Sequence, residues 1–513
     1  MFSRKIRIAI LALLTACAVT PTLLESQTTR RTTTRRRVRR PSRNRPPVVP
    51  AVRYTPTRSS DDLASTLGNL AGRIRSGMWG GMVVSLTRGD TLYAYNAGEE
   101  MLPASTMKLL TSAIAFERFG PNYQFSTDAL RDGAVADGTL SGNLYIRGDG
   151  DPALSGKFLP GGPSAPMNRL ADLVWQKGVR HITGNIIGDA SAFDDQKVPE
   201  GWLSRYLQAS YAARVSALSL NENVVVVAVT PTAPGQAATV VLEPSTSAIP
   251  LVGNVRTVAG GGARLRFRKQ SDGTIGATGS IGSRAGTRRY VYIVEDPPSF
   301  TTGAFRNALI ARGIKVDGEI QLGKTPASAV KVASLLSPPL ASMIAAMNRE
   351  SINHYAELLF RNAARGPDRN LTGSVSTASA LLDQFFATKV GSDTTRLVFA
   401  DGSGLSTLDR VTPRAQVQLL GYAHRATWGP WLHSSLPVAG DSELLRRRMR
   451  NTPAEGNLHA KTGTTNDVIA LAGYVTAVNG EVLAFSFLYN GRDRWTAKSM
   501  IDVMSETLAS FGR

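Results

Sequence analysis

The chain has 513 residues, of which 42% are hydrophobic and one is cysteine. This composition can bury a sizeable core, so a globally disordered chain is excluded, and one cysteine excludes an intramolecular disulfide framework and a cysteine-based zinc site. The net charge of +20 is uneven: residues 1–60 hold 14 basic residues and one acid, whereas the rest holds 45 basic and 38 acidic residues, so the body gives no reason to expect nucleic-acid binding.

The first eighteen residues carry the pattern of an export signal. A positive start over residues 4–7 precedes a short apolar run over residues 8–14. Ala16-Cys17-Ala18 fits ordinary signal-peptide cleavage, whereas residues 14–17 resemble a bacterial lipobox, whose cysteine becomes the lipidated first residue. The sequence therefore predicts export to the periplasm or cell envelope, and it leaves open whether Cys17 is lipidated or removed.

Residues 19–60 are interpreted as a disordered basic linker. From Gln27 to Ser59 the chain is mostly Thr, Arg and Pro, which cannot bury a core, and its arginines repel one another. Two interpretations stand: a solvated spacer, or a segment that binds an anionic membrane surface or wall polymers electrostatically. Nucleic acid is not an expected partner after export.

Residues 61–125 are interpreted as the first part of a main domain. Apolar residues at helical spacing, two short alternating strands and a helix opened by a proline follow one another. These elements are predicted at 63–74 (helix), 82–86 and 91–95 (strands) and 103–119 (helix).

Residues 126–315 change character. Short β-branched runs alternate with glycine-rich turns, which predicts a strand-rich insertion of one or two small domains. The clearest strands are predicted at 224–229, 238–242 and 290–294.

Residues 316–513 are interpreted as the second part of the main domain. Helices are predicted at 340–349, 354–365 and 496–511, and strands at 468–477 and 482–489. Since strands and helices occur both early and late in the chain, we expect one sheet to be completed across the insertion, in a domain of the α/β (α+β) class.

Two polar motifs occur in the main domain, one on a predicted helix and one between two predicted helices. In Ser105-Thr106-Met107-Lys108 the serine and lysine are three positions apart, so on a helix the amine lies beside the hydroxyl that it would have to deprotonate. A lysine base needs a lowered pKa, through burial and a neighbouring positive charge. Ser351-Ile352-Asn353 lies between two helices, where a turn would aim both polar side chains the same way.

A third motif, Lys461-Thr462-Gly463-Thr464, enters an apolar strand. Glycine at 463 lets another backbone approach closely. We expect Lys461 to supply the second positive charge that lowers the pKa of Lys108, and the two threonine hydroxyls to hold a substrate carboxylate. Each motif alone is weak evidence, but the three together, in this order and on these elements, are strong.

The three motifs resemble those of the penicillin-binding, active-site-serine peptidases and β-lactamases, which carry Ser-x-x-Lys, Ser-x-Asn and Lys-Thr-Gly in this order. The 246 positions between Ser105 and Ser351 are too many for a β-lactamase. The chain with this long spacing resembles the D-alanyl-D-alanine carboxypeptidase/endopeptidase family of the penicillin-binding protein 4 type, which has extra domains inserted between the first two motifs. Further stretches resemble that family over residues 61–513: Gly148-Asp149-Gly150-Asp151-Pro152, residues 216–223 (SALSLNEN), residues 401–406 (DGSGLS) and residues 436–440 (LPVAG).

This resemblance implies a penicillin-binding/β-lactamase-like transpeptidase domain, with an antiparallel sheet flanked by helices. It implies that Ser105 attacks the carbonyl of the penultimate D-alanine of a peptidoglycan stem peptide, that Lys108 accepts the proton and that Ser351 relays a proton to the leaving amine. The backbone N–H groups of Ser105 and Thr464 would form the oxyanion hole. β-Lactam antibiotics would inhibit, and no metal or organic cofactor would be needed.

Substrate recognition is implied for Asn353, Lys461 and the Thr462-Gly463-Thr464 segment. Asp189 and Phe193 are a further hypothesis, as residues that line the pocket for a diamino-acid side chain, against the alternative of a turn aspartate and a core phenylalanine. The chain departs from the family at Thr407, where arginine often follows the DGSGLS run, and at residues 441–444, where Asp-Ser-Glu-Leu replaces Gly-Thr-Leu. Both departures concern side-chain recognition rather than acylation.

Two other functions stay open. A β-lactamase-like penicillin hydrolase is disfavoured by the insertion and by the absence of a Glu-x-x-x-Asn deacylation motif between Ser351 and Lys461. A catalytically silent cell-wall-binding scaffold is disfavoured because all the catalytic side chains are present.

Overall fold

The computed structural model describes residues 52–513 except positions 368 and 370. Within them the helices, numbered in chain order, are α1 (Ser60–Ala71), α2 (Met107–Phe119), α3 (Ala165–Gln176), α4 (Pro297–Ala311), α5 (Leu340–Glu350), α6 (Asn353–Arg365), α7 (Val375–Phe385), α8 (Pro413–Arg425), α9 (Gly429–Ser435) and α10 (Arg494–Ala509). A 3₁₀ turn at Ala104–Thr106 precedes α2.

The strands of the same residues are β1 (Met78–Ser85), β2 (Thr91–Tyr95), β3 (Ser126–Arg131), β4 (Ala134–Ala136), β5 (Thr139–Ser141), β6 (Leu144–Arg147), β7 (His181–Ile182), β8 (Ile186–Asp189), β9 (Val224–Thr230), β10 (Thr239–Glu243), β11 (Leu251–Val258), β12 (Ala263–Lys269), β13 (Ile275–Gly282), β14 (Arg288–Ile293), β15 (Lys315–Val316), β16 (Ile320–Leu322), β17 (Val330–Leu336), β18 (His459–Thr464), β19 (Val468–Thr476) and β20 (Val482–Asn490).

One antiparallel sheet of order β18-β19-β20-β1-β2 forms the centre of the main domain. It joins the two early strands to the three late ones, and Met82 of β1 lies opposite Ser486 of β20. Helices α1 and α10 cover one face, and α2 and α8 pack on the other side. The predicted α+β class, with an antiparallel sheet flanked by helices and completed across an insertion, is confirmed.

Helix α2 runs through the core between the sheet and the other helices. All its residues from Met107 to Phe116 are buried, because apolar side chains surround the helix instead of forming one stripe. Lys108 lies in this run and is therefore withdrawn from water with its neighbours.

The strand-rich region has its own sheets and its own core. The sheets have the orders β16-β8-β6-β3-β17, β15-β7-β5-β4, β10-β9-β14 and β11-β13-β12. Strand β17 pairs with β3, with Leu336 opposite Ser126, so a strand that follows the predicted boundary at 315 belongs to the same sheet as strands that precede it. This pairing joins residues about two hundred positions apart, and a local pattern carries no sign of it.

Two of the motifs noted above connect the insertion to α6. Asp149 accepts from Arg365 at 2.8 Å, and the Asn362 side chain donates to the Gly150 carbonyl at 2.9 Å. Asn223 of the SALSLNEN run lies 3.0 Å from the His354 ring. Because α6 begins at Asn353, these contacts fix the helix that starts with the last residue of the Ser351-Ile352-Asn353 motif.

The predicted export signal, residues 1–18, and most of the predicted linker lie outside the described residues. Residues 52–59 were predicted to be linker, but here they lie against the main domain, where Thr57 is buried and its carbonyl accepts from Gly512 N at 3.0 Å. Val52 and Tyr54 also pack there, since their side chains have apolar surface to bury. Across the described part of the chain, no helix is both long enough and apolar enough to cross a membrane.

Candidate active site

Ser105 lies in the 3₁₀ turn that leads directly into α2. The preceding residue, Ala104, has a positive φ of 45°, a conformation that non-glycine residues rarely adopt and that is often retained at functional sites. Gly463 of β18 packs against this turn, and a Cβ there would lie 2.8 Å from the Pro103 carbonyl oxygen. The glycine therefore lets the strand and the serine turn approach closely, as the sequence predicted.

Lys108 is fully buried beside Ser105. Its Nζ lies 3.1 Å from Ser105 Oγ, 2.7 Å from Asn353 Oδ1 and 2.7 Å from the Ser403 carbonyl oxygen. Burial lowers the pKa of Lys108 to about 8, against the opposing influence of nearby carboxylates. A neutral amine has two N–H donors and one lone pair, so two donors facing Asn353 and Ser403 leave the lone pair for the Ser105 hydroxyl.

Ser351 and Asn353 lie at the junction of α5 and α6. Ser351 ends α5 in the left-handed region, with a φ of 59°, and Asn353 is the first residue of α6. Ser351 Oγ accepts from Lys461 Nζ at 2.9 Å, while the Asn353 side chain accepts from Lys108 and donates to the Tyr211 carbonyl at 2.9 Å. The turn therefore places the two side chains against two different lysines.

The Lys-Thr-Gly-Thr segment forms a strand of its own, β18, instead of the entry to the strand at 468–477. This strand is at the edge of the sheet, so one side of its backbone is not paired within the sheet. Lys461 is fully buried, and its burial and the charge of Lys108 hold its pKa well below the usual range. The lowered pKa of Lys108 thus comes from burial, which is one of the two causes expected from the sequence; the charge of Lys461, the other expected cause, is not among the influences on it.

A cleft of about 380 Å³ opens in front of Ser105. Its lining comes from the serine turn, the α5–α6 junction, the end of β18, the loop at 404–405, the start of α10 and the inserted region: Ser105, Tyr206, Tyr211, Ser351, Asn353, Gly404, Leu405, Thr464, Thr465, Asn466 and Arg494. The structure thus gathers the three motifs, separated by hundreds of residues, around one cleft. Thr462 is buried in β18 behind it, next to Lys461 and Gly463.

Asp189 and Phe193 are not among the residues that line this cleft, and their role in a pocket for a diamino-acid side chain stays a prediction. Asp189 ends β8, where its carboxylate accepts from the backbone N of Ser191 at 2.9 Å and of Thr325 at 2.8 Å. Phe193 is buried against Val215, Ala217 and Leu358. Both residues therefore make contacts that stabilise the inserted region.

Several residues of the site had no role in the sequence analysis. Tyr206, Tyr211 and Arg494 carry no motif, and only the tertiary structure brings them to the cleft. The DGSGLS run was noticed, but without the role that its Ser403 carbonyl has beside Lys108. Thr407, where family members often have arginine, bonds instead through its Oγ1 to the Gly201 carbonyl of the inserted region at 3.0 Å.

Metal-binding chemistry has no obvious place in the described residues, where no group of three or more His, Cys, Asp and Glu side chains is arranged to hold an ion. His459 shares its strand with Lys461, but its ring packs against that of His433 at a centroid distance of 4.2 Å and an interplanar angle of 33°. Burial lowers the pKa of His459, which is consistent with a packed histidine.

Comparison with protein families shows which one contains these motifs. The model of the D-Ala-D-Ala carboxypeptidase 3 (S13) family matches residues 60–511. The chain belongs to this family. The predicted recognition, and with it the prediction of a serine-type D-Ala-D-Ala carboxypeptidase, is confirmed at the level of the S13 family.

Individual relatives agree with the S13 assignment. The chain is 34% identical over 454 residues to the D-alanyl-D-alanine carboxypeptidase of Actinomadura sp. (strain R39), covering 84% of this chain and 81% of that protein. It is 26% identical over 417 residues to the D-alanyl-D-alanine carboxypeptidase DacB of Haemophilus influenzae. The crystal structure of penicillin binding protein 4 from Haemophilus influenzae shares the fold, with a TM-score of 0.71, 24% identity, and coverage of 86% of this chain and 97% of that one.

Proposed function

We propose that this S13 protein cleaves the terminal D-Ala-D-Ala bond of peptidoglycan stem peptides through an acyl-enzyme on Ser105. The observation that carries the proposal is the 3.1 Å contact between Lys108 Nζ and Ser105 Oγ inside a buried site. With a pKa of about 8, Lys108 is neutral in an appreciable fraction of molecules near neutral pH, and so it can act as the general base.

In the acylation step, Ser105 Oγ attacks the carbonyl carbon of the penultimate D-alanine while Lys108 takes the hydroxyl proton. The tetrahedral oxyanion is stabilised by the backbone N–H groups of Ser105 and Thr464. Support for this pairing comes from the close approach of β18 to the serine turn at Gly463. Loss of one such donor typically lowers the rate by roughly 10²–10³-fold.

The leaving amine then needs a proton as the C–N bond breaks. That proton is the one that Lys108 accepted from Ser105, and Ser351 is proposed to pass it on, because Ser351 lines the cleft and its hydroxyl lies 2.9 Å from Lys461 Nζ. Water attacks the acyl-ester in the second half-reaction, which releases the shortened peptide and regenerates Ser105.

Substrate binding is proposed along β18. An extended peptide can add to the free edge of a strand through backbone hydrogen bonds. Asn353 would bond the substrate amide, and Lys461, Thr462 and Thr464 would hold the terminal carboxylate. A cross-linked peptide has the same acyl half and differs in its leaving amine, so D,D-endopeptidase activity is proposed beside carboxypeptidase activity.

β-Lactam antibiotics are proposed to acylate Ser105 as substrate analogues. A crystal structure similar in fold, that of penicillin binding protein 4 from Haemophilus influenzae, is described as complexed with a β-lactam. Since the proposed substrate is in the cell wall, we also propose that the protein acts after export, in the periplasm or cell envelope, with its Arg-rich segment toward anionic membrane lipids or wall polymers.

The test uses the purified protein and benzylpenicillin. We expect a stable mass adduct that peptide mapping places on Ser105, release of D-alanine from a pentapeptide and cleavage of a cross-linked dimer. Ser105→Ala should lose all three. Rapid turnover of penicillin would favour a β-lactamase instead, and binding to isolated cell walls with neither adduct nor D-alanine release would favour a scaffold.

A further inference from the structure

The loop at 401–406 is folded around one side chain, the carboxylate of Asp401. This residue is fully buried, and its two oxygens accept from four consecutive backbone N–H groups of the loop. The donors are Ser403 N (3.0 Å), Gly404 N (2.6 Å), Leu405 N (3.1 Å) and Ser406 N (2.8 Å). A single carboxylate therefore fixes the conformation of the whole loop.

This conformation places a carbonyl group of the loop next to Lys108, the proposed base. With its N–H held by Asp401, Ser403 turns its carbonyl toward Lys108 Nζ, at 2.7 Å. Gly404 follows with a positive φ of 81°, where a Cβ would lie 1.8 Å from the Ala104 carbonyl oxygen. The loop thus meets both Lys108 and the residue before Ser105.

The inserted region also bonds to the same carboxylate. Trp202 is 8% exposed, and its indole Nε1 donates to Asp401 Oδ2 at 2.8 Å. Two hydrogen bonds and the short loop between them therefore connect the insertion to Lys108.

The charge of Asp401 also acts on Lys108. Among the buried acids near Lys108, Asp401 opposes the lowering of its pKa most strongly, ahead of Glu357 and Asp409. Burial and the proximity of Asp401 raise the pKa of Glu357 to about 7, although Arg361 pairs with it at 2.9 Å, and they raise the pKa of Asp409 well above its usual range. Lys461 is a second buried cation near Lys108, since the charge of Lys108 helps to lower the pKa of Lys461.

We propose that Asp401 is a positioning residue for the base: it holds the Ser403 carbonyl against Lys108, and Trp202 of the inserted region holds Asp401 in turn. This inference rests on the proposed role of Lys108. According to this proposal, the insertion helps to position the base through the indole N–H of Trp202, in addition to lining the cleft.

The test is the rate of acylation by benzylpenicillin from about pH 6 to about pH 10, measured for variants that replace one hydrogen-bonding group each. Asp401→Asn removes the negative charge, so the pKa of Lys108 should fall and the midpoint of the acid limb should move to lower pH. Because the loop loses acceptors, the maximal rate should also fall, by up to about 10²-fold. An acid limb at the wild-type pH would overturn the proposal.

Trp202→Phe tests the same link if Asp401→Asn does not fold. It keeps a buried aromatic ring but removes the N–H together with part of the indole, a loss of volume that the control below shares, and we expect a lower maximal acylation rate with an unchanged half-saturating penicillin concentration. Its matched control is Trp428→Phe, because Trp428 is 5% exposed and donates to the Glu117 carboxylate at 3.0 Å, at the far end of α2. Equal acylation rates in the two variants would overturn the proposal.

The same experiment separates this inference from the proposed function. If wild-type protein forms no adduct on Ser105, the proposed function fails, and the role of Asp401 fails with it. If wild-type protein is acylated on Ser105 while Asp401→Asn keeps the wild-type acid limb and Trp202→Phe reacts like Trp428→Phe, only the role of Asp401 and Trp202 fails.

Discussion

The main domain and the strand-rich insertion bury their sheets differently. In the central sheet, every residue of β19 except the last is buried, because helices cover both faces. In β11 and β12 of the insertion most residues are exposed or half-buried. The comparison indicates that side chains are withdrawn from water where helices cover both faces of a sheet. Lys461 in the central sheet and Lys108 in α2, which packs on it, are both in such positions.

The insertion nevertheless reaches the site through a few polar contacts. The Tyr211 carbonyl accepts from Asn353, Trp202 donates to Asp401, and Asn223 contacts His354. A region with a separate core thus helps to orient side chains in the main domain. If the chemistry is divided in this way between the two regions, changes in the main domain should affect acylation far more than changes on the surface of the insertion.

Removing the base should have the largest effect. Lys108→Met takes away the proton acceptor, so we expect acylation by benzylpenicillin to slow by roughly 10²–10⁴-fold, as measured by adduct formation over time. The control is Lys177→Met at the exposed end of α3 in the insertion, which should react like wild type. Comparable rates for the two variants would contradict the division between the regions.

A glycine change tests the contact between β18 and the serine turn. Gly463→Ala places a Cβ 2.8 Å from the Pro103 carbonyl, so strand and turn must separate and acylation should fall by about 10²-fold. Gly276→Ala is the matched change in β13 of the insertion, where the nearest atom would lie at an ordinary 3.6 Å. We expect its acylation rate to be unchanged, and an equal loss in both would argue against a tight strand–turn contact.

The pH dependence of wild-type acylation should follow Lys108. Since the reactive form is neutral and the pKa is about 8, the rate should rise with pH through that value, and at pH 7 it should be about one tenth of its plateau. Acylation rates across a pH series, with protein stability measured at each pH, check this. A rate that is flat from pH 7 to pH 9, which span the value of about 8, would remove Lys108 from the role of base.

The smallest effect is expected on the insertion surface. Val252 in β11 is 58% exposed, so Val252→Thr should change the free energy of unfolding by at most about 0.5 kcal/mol and leave acylation unchanged. Leu471 in β19 is fully buried, and Leu471→Ala should cost about 2–5 kcal/mol. Denaturant unfolding measures both, and similar losses would mean that the two sheets are buried to a similar extent.

Local patterns were sufficient for much of the fold. The predicted strand at 91–95 coincides with β2, and the helix predicted at 103–119 covers the 3₁₀ turn and α2, because alternation and helical spacing are properties of neighbouring residues. The pairing of β17 with β3 across the predicted boundary at 315 was not foreseen, and the edge strand β18 was not separated from β19. Both differences concern pairing between strands, which depends on residues elsewhere in the chain.

By itself, the sequence was sufficient to propose the reacting groups. Ser105 and Lys108 are one helical turn apart, and a short spacing on a helix fixes which side chains are neighbours. Only the tertiary structure decided that Asp401 and Trp202 stand behind Lys108, and that Asp189 and Phe193 are away from the cleft lining. The physical reason is that these contacts join residues hundreds of positions apart in the chain. Such contacts arise from packing in three dimensions, and the local sequence has no periodic pattern that would predict them.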